Sequence, residues 1–377
     1  MARKKRGNGE GTIYRRKDGK WATQYTVYAA EGRKRKTLYG KTRSEVAAKL
    51  AKALSDREGG LVFDAGTLKL GDYLDHWLTD SVKGTVRQRT WERYEQIARV
   101  HIKPALGRLK LKSLTPAQVR SLYREKLDAG LTPRTVQYVH TTLHKALKDA
   151  VSDGLVPRNV TEGIKAPRPR KKEVNALSAD QARTFLSAAR GDRFEALYVV
   201  AVHCGLREGE LLGLRWDDVD LEAGTLAVRR TLSETKIGHL FEAPKNGKGR
   251  NIKLTAGAKN ALKRHRKMQL EERMRLAGLR EDHGLVFPNK VGKTMNARNL
   301  IARSFKPILE RAGLPRSVRL HDLRHTCATL LLKRGQHPKF VQELLGHATI
   351  SQTLDTYSHV LPGMGDGLAD AMDDALG

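Results

Sequence analysis

Three helix-start signals constrain this chain's fold more than any other feature. Thr115-Pro116-Ala117-Gln118 joins an N-cap threonine to a proline at the first helical position and a glutamine able to close a capping box. Thr132-Pro133 repeats the start ahead of Val136, Val139, Leu143, Leu147 and Val151, and Ser178-Ala179-Asp180-Gln181 opens another helix. Leu70, Tyr73, Leu74, Trp77 and Leu78 recur at three- and four-residue spacing, which makes one apolar helix face. These signals predict four or five helices over residues 65–165, one of them from about Thr90 to His101 and stopping near Pro104. Further helices are expected at about 179–189, 193–204 and 207–214, and again from about 256 onward.

Two stretches break the helical pattern. Residues 11–28 alternate β-branched and aromatic side chains around Asp18-Gly19, a favoured two-residue hairpin turn. Glu31-Gly32 suggests a second turn into a strand from Arg33 to Tyr39, followed by a helix over 45–54 with Ser44 as its N-cap. Between Asp220 and Asn251, short strands are expected at 225–231 and 250–254, with Lys245-Asn246-Gly247-Lys248 as a hairpin turn between them. The chain therefore reads as multidomain, mainly α with small β-sheets. A three-stranded sheet plus helix occupies 1–64, a helical bundle with its linker 65–170, and a mixed α+β domain with a C-terminal tail 171–377. A glycine-containing link at 57–68 and the basic, proline-rich Ala166–Glu173 separate them.

Charge narrows the function. Of 377 residues, 71 are Lys or Arg and 41 Asp or Glu, a net charge of +30 that attracts polyanions. The first 43 residues alone hold 14 basic and 3 acidic side chains. Nucleic acid is the expected partner. Arg15, Arg16, Lys17, Lys20, Arg33, Lys34, Arg35 and Lys36 on the N-terminal sheet, and Arg87, Arg89 and Arg93 on the bundle, are candidate DNA contacts. Basic runs of this kind often form no more than a solvated face; the excess of one sign favours phosphate. No apolar run approaches the ~20 residues that span a bilayer, and the start lacks a secretory h-region. Cys204 and Cys327 have no metal-ligand spacing, so a reduced cytoplasmic protein without a metal or cofactor is expected.

The chemistry-bearing residues lie late in the chain. They are Gly205-Leu206-Arg207-Glu208-Gly209-Glu210, then His321-Asp322-Leu323-Arg324-His325, Leu345-Gly346-His347, and Asp355-Thr356-Tyr357-Ser358-His359. Arginine presents a fork of donors that fits phosphate oxygens and does not titrate, so Arg207 and Arg324 suit a phosphodiester. His321 lies one helical turn before Arg324 and can add a hydrogen bond. His347 follows Gly346 at an expected helix start, and the phenol of Tyr357 is a possible nucleophile. Glu210 reads as a buttress for Arg207, His325 as structural and His359 as a supporting residue.

These segments, in this order and spacing, resemble the tyrosine recombinases, the phage lambda integrase family. The likeness spans 175–360 by motif and 65–165 by helical pattern; 1–60 is similar to the arm-binding domain of many integrases. The resemblance implies strand cleavage through a 3′-phosphotyrosyl link to Tyr357, with Arg207, His321, Arg324 and His347 on the phosphate. It implies Lys245 as the acid for the leaving 5′ oxygen, Lys248 being the alternative on the same loop. It also implies double-stranded attachment sites of core and arm type, a homo-tetramer, and a possible host DNA-bending protein and excisionase. The acidic tail, four aspartates in 361–377, is expected to pack on a neighbouring subunit through Leu368, Met372 and Leu376. A phage or mobile-element integrase is the leading reading. A Xer-type resolvase, a type IB topoisomerase-like enzyme and a DNA-binding regulator without chemistry are the alternatives.

Overall fold

The computed structural model describes residues 12–29, 32–58, 67–169, 175–275, 281–358 and 368–376. The chain divides into two compact units, Met1–Lys171 and Lys172–Gly377.

In the first unit, strands β1 (Thr12–Arg15), β2 (Trp21–Ala29) and β3 (Gly32–Gly40) form an antiparallel sheet in that order. Helix α1 (Arg43–Glu58) covers it, with Leu50 and Ala53 packed on Tyr25. The β1–β2 turn differs from the two-residue expectation. Arg15 pairs with Trp21, the amide of Arg16 reaches the carbonyl of Lys20 at 2.8 Å, and Gly19 takes φ 81°. A longer loop closed by a left-handed glycine satisfies the strand twist here, since Asp18 need not then adopt positive φ. The cap of α1 also moves. Thr42 Oγ1 accepts the amide of Glu45 at 3.1 Å, and the Glu45 carboxylate accepts the amide of Lys41, so Thr42 rather than Ser44 starts the helix.

The helical part comprises α2 (Leu70–His76), α3 (Gln88–Ile97), α4 (Lys103–Leu106), α5 (Pro116–Asp128) and α6 (Pro133–Ser152). Helices α2 and α3 continue as π-helical turns, Trp77–Val82 and Ala98–Ile102. Leu70, Leu74, Trp77, Ile97, Val139 and Leu143 are buried in its core. Both expected caps are present: Thr115 with Gln118 as a full capping box, and Thr132 accepting the amide of Thr135. Residues 59–66 of the first expected link, and 170–173 of the second, lie outside the described residues.

The second unit opens with α7 (Ala179–Ala188), started by the expected Ser178–Gln181 capping box. Then come α8 (Glu195–Cys204), α9 (Glu208–Leu212), β4 (Val219–Asp220), β5 (Thr225–Val228), β6 (Thr231–Thr235), β7 (Gly238–Glu242) and β8 (Arg250–Lys253). After them run α10 (Ala256–Arg275), α11 (Ala297–Leu300), α12 (Lys306–Arg311), α13 (Asp322–Lys333), α14 (Pro338–Leu345), α15 (Ile350–Tyr357) and α16 (Leu368–Leu376). Helix α8 is apolar on nearly every side and packs between α10 and α13, which places it at the centre of the core. The strand expectation needs correction. β8 pairs with β5 in a β4-β5-β8 sheet, while β6 and β7 form their own hairpin. Lys245 therefore lies on the loop between that hairpin and β8, not on a hairpin turn.

Candidate active site

The site is assembled from the ends of α8, α9, α13, α14 and α15 and the start of β8, all in the second unit. Helix α8 stops at Gly205, whose φ of 62° is a left-handed cap. A Cβ there would sit 2.7 Å from Leu345 Cδ2, so glycine is required by space as well as by conformation. The carbonyl of Gly205 accepts Nη1 of Arg324 at 2.8 Å. Arg324 is 2 % exposed, and its Nη2 has no hydrogen-bond partner among the described residues. Burial, together with the positive charge of Arg207, pushes this guanidinium down to about 9. A buried cation with an open donor is a receptor for an oxyanion.

Arg207 is the N-cap of α9. Its Nη1 donates to Glu210 at 2.8 Å and its Nη2 to the carbonyl of Gly346 at 3.0 Å. Glu210 is buried, and Arg250 reaches it with two donors at 3.1 and 2.7 Å while its Nε donates to the carbonyl of Leu344. Burial pushes the Glu210 carboxyl up, but the hydrogen bond and charge of Arg250 and the backbone and charge of Arg207 outweigh it and hold it at about 2. Two arginines thus share one carboxylate and two backbone carbonyls at the end of α14. Sequence reasoning missed Arg250, which looks like any charged residue of a strand.

His347 does not begin a helix as expected. It follows the left-handed C-cap Gly346 of α14, before the N-cap Thr349 of α15, and its Nδ1 lies 2.8 Å from Thr353 Oγ1. Burial, then the charges of Arg324 and Arg207, hold its imidazole at about 3. Tyr357 ends α15 with 1 % exposure, and burial raises its phenol to about 12 against the pull of Arg324. The Tyr357 hydroxyl lies 2.8 Å from Nδ1 of His325, the residue expected to be structural. His321 caps α13 and stands edge-on to His325, with ring centroids 4.9 Å apart. Its ring reaches solvent on one side, while burial on the other and the charge of His325 lower its pKa.

The structure thus brings Glu210, His347, His321 and Tyr357 close to Arg207, Arg324 or both. Lys245 is exposed on its loop, and the neighbouring Asn246 ties that loop to the carbonyl of Gly346 at 2.9 Å. His359 lies outside the described residues. In the first unit, Arg15, Arg16, Lys17 and Lys20 are exposed around the β1–β2 loop, with Arg16 5.1 Å from the centre of the Tyr39 ring. Arg35 is exposed on β3; the side chains of Arg33, Lys34 and Lys36 lie outside the described residues. Arg87 caps α3, Arg89 is exposed, and Arg93 shares the face of Tyr138 with Arg134 at 4.9 and 5.0 Å. Among the described residues, no group of His, Cys, Asp and Glu is placed to hold a metal ion, and no helix is long and apolar enough to cross a membrane.

Comparison with known proteins agrees with this architecture. A sequence profile described as the phage integrase family matches residues 175–363, and one described as the phage integrase N-terminal SAM-like domain matches 69–127. A XerC-like tyrosine recombinase of Caldanaerobacter subterraneus subsp. tengcongensis is 32% identical, aligning 90% of this chain with 92% of that protein. An integrase of Streptomyces ambofaciens is 31% identical, over 94% and 93% of the two chains. Among solved structures, the Tn1549 transposon integrase in complex with a circular intermediate DNA superposes with a TM-score of 0.68 at 21% identity, covering 82% of this chain and all of that one. A lambda integrase dimer bound to a COC′ core site gives a TM-score of 0.59 at 19% identity, over 94% and 95% of the chains. Fold and matched segments define an enzyme that breaks and rejoins DNA strands. The chain belongs to the phage integrase family, the tyrosine recombinases.

Proposed function

We propose that this protein is the integrase of a phage or other mobile element, and that it cuts DNA with Tyr357 at the site just described. The observation that carries the assignment is Arg324, a buried guanidinium whose Nη2 has no partner among the described residues, in the same cluster as Arg207 and the tyrosine. Arg324 and Arg207 grip the non-bridging oxygens of the scissile phosphate, where charge grows as phosphorus becomes five-coordinate. His321 and His347 donate further hydrogen bonds to that phosphate. The phenolic oxygen of Tyr357 bonds to phosphorus, the bond to the 5′ oxygen breaks, and Lys245 supplies the proton that the departing oxygen takes. The 3′-phosphotyrosyl link retains the bond energy, so a 5′ hydroxyl from a second duplex can reverse the step.

Residues 1–64 serve as the arm-site domain, 65–170 as the core-binding domain and 171–377 as the catalytic domain. The enzyme works as a tetramer in the bacterial cytoplasm at the nucleoid, with a host DNA-bending protein and an excisionase as further partners. Exposure of Met372 at 56% and Leu376 at 80% supports docking of α16 on a neighbouring subunit. A Xer-type resolvase shares the catalytic reading, but a basic, sheet-bearing N-terminal module supports an enzyme that also holds arm sites. Incubation with a nicked attachment-site duplex should trap a 3′-linked covalent complex. Tyr357→Phe should lose that complex while binding the duplex unchanged. A set of attachment sites that yields binding but no covalent complex would favour the non-catalytic regulator.

A further inference from the structure

Among the described residues the hydroxyl of Tyr357 has one hydrogen-bond partner, Nδ1 of His325 at 2.8 Å. The tyrosine is 1 % exposed, so bulk water does not reach its proton, and a side chain must take it. His325 follows Arg324 directly on α13, so the two side chains leave the helix about 100° apart. One points to the phosphate receptor and the other to the nucleophile. The rings of His325 and Tyr357 lie 5.7 Å apart between centroids, tilted by 60°. His321 closes the other side, ring edge to ring face, and no hydrogen bond joins it to Tyr357. Burial and the charges of Arg319 and Arg324 outweigh Asp322 and keep the His325 imidazole below its ordinary value, hence neutral and able to accept.

We propose that His325 is a catalytic residue, the base that takes the Tyr357 proton during strand cleavage and returns it during rejoining. The inference rests on the assignment of Tyr357 as nucleophile. As the phenolic O–H bond breaks, its proton passes to Nδ1, the ring carrying its other proton on Nε2. The oxygen's electron pair forms the bond to phosphorus, and the pair of the breaking phosphorus–oxygen bond leaves with the 5′ oxygen. Rejoining runs the same transfers backward. Sequence spacing hides this role, because the residue beside a phosphate-binding arginine reads as packing until α15 is laid against α13.

The test uses single-turnover cleavage of the nicked duplex by the full chain. His325→Asn keeps an acceptor oxygen near the Nδ1 position but cannot hold a proton at neutral pH. It should bind the duplex as the wild type does and cleave about 100- to 1000-fold more slowly. Replacing the bridging 5′ oxygen by sulfur removes the need for a leaving-group acid, and should not restore His325→Asn. The wild-type rate should also fall on the acid side as His325 is protonated, and His325→Asn should lose that limb. The groups facing His325 are His321, Asp322, Arg319 and Arg324 on its own side, Tyr357 from α15 and His347 from the preceding turn. Cleavage by His325→Asn within about threefold of wild type, or its recovery with the sulfur substrate, overturns the proposal. Should that variant fail to fold, His325→Ala with added imidazole carries the same test: recovered cleavage supports a base, and no recovery overturns it. A wild type that forms no covalent link at all defeats the nucleophile assignment instead.

Discussion

At the scale of single residues, the site is governed by how few charges must satisfy many. Glu210 is the carboxylate that Arg207 and Arg250 share, and it fixes both. Its carboxyl lies at about 2 against an ordinary 4.5. A lowered folded value means that its contribution to stability is complete above the unfolded value and is lost as pH falls through the folded one. Wild-type stability should therefore drop between pH 5 and 2 by roughly 3 kcal/mol more than that of Glu210→Gln, as read by urea unfolding at each pH. Equal slopes in the two proteins would mean that the carboxylate is not held this way. Arg250→Met leaves a buried carboxylate with one partner fewer, a loss on the order of 3–5 kcal/mol if the pair behaves as buried pairs do.

At the scale of elements, two glycine-capped helix ends do the positioning. Gly205 and Gly346 terminate α8 and α14 at φ 62° and 63°, and each turns a carbonyl toward an arginine. The loop between β7 and β8 meets the second of them through Asn246. Asn246→Ala removes one hydrogen bond, worth about 1 kcal/mol, so cleavage should slow several-fold to tenfold with DNA binding unchanged. Lys245→Ala should slow cleavage at least about 100-fold and recover with a 5′-sulfur leaving group; Lys248→Ala should stay within a few-fold. The reverse ranking would move the acid to Lys248. What the sequence made legible follows the same division. Caps are local, so Ser178 with Gln181, Thr115 with Gln118, and Thr132 could be read directly, and the helices followed. Strand pairing is not local: β5 and β8 join across the whole β6–β7 hairpin, and only that register brings Arg250 to Glu210. The same holds for His325, whose partner lies 32 residues away on another helix. The motif residues themselves were readable because each carries unusual chemistry, whereas the residues that orient them look ordinary.

At the scale of the whole molecule, the excess of 71 basic over 41 acidic residues has to be divided between grip and selection. Phosphate contacts release counterions, so each one steepens the salt dependence of binding by about 0.9 in the log–log slope. Arg15, Arg16, Lys17 and Lys20 crowd one exposed loop of the N-terminal sheet, which is closed by Gly19 and the backbone pair of Arg16 and Lys20. The Arg15 side chain adds only a 3.4 Å bond to the Gly19 carbonyl and Arg16 an exposed 3.7 Å pair with Asp18, both worth little in water. Replacing all four by alanine should therefore leave the sheet intact, which circular dichroism and thermal unfolding can check. If the loop reads an arm site, the salt slope for arm duplexes should become shallower by about 3 to 4, while binding and covalent cleavage of an isolated core duplex stay as in the wild type. Titration of both duplexes between low and physiological salt separates the possibilities. An equal loss on core and arm DNA would make the loop a general clamp, and the extra N-terminal module would no longer distinguish an integrase from a resolvase that acts on the core alone.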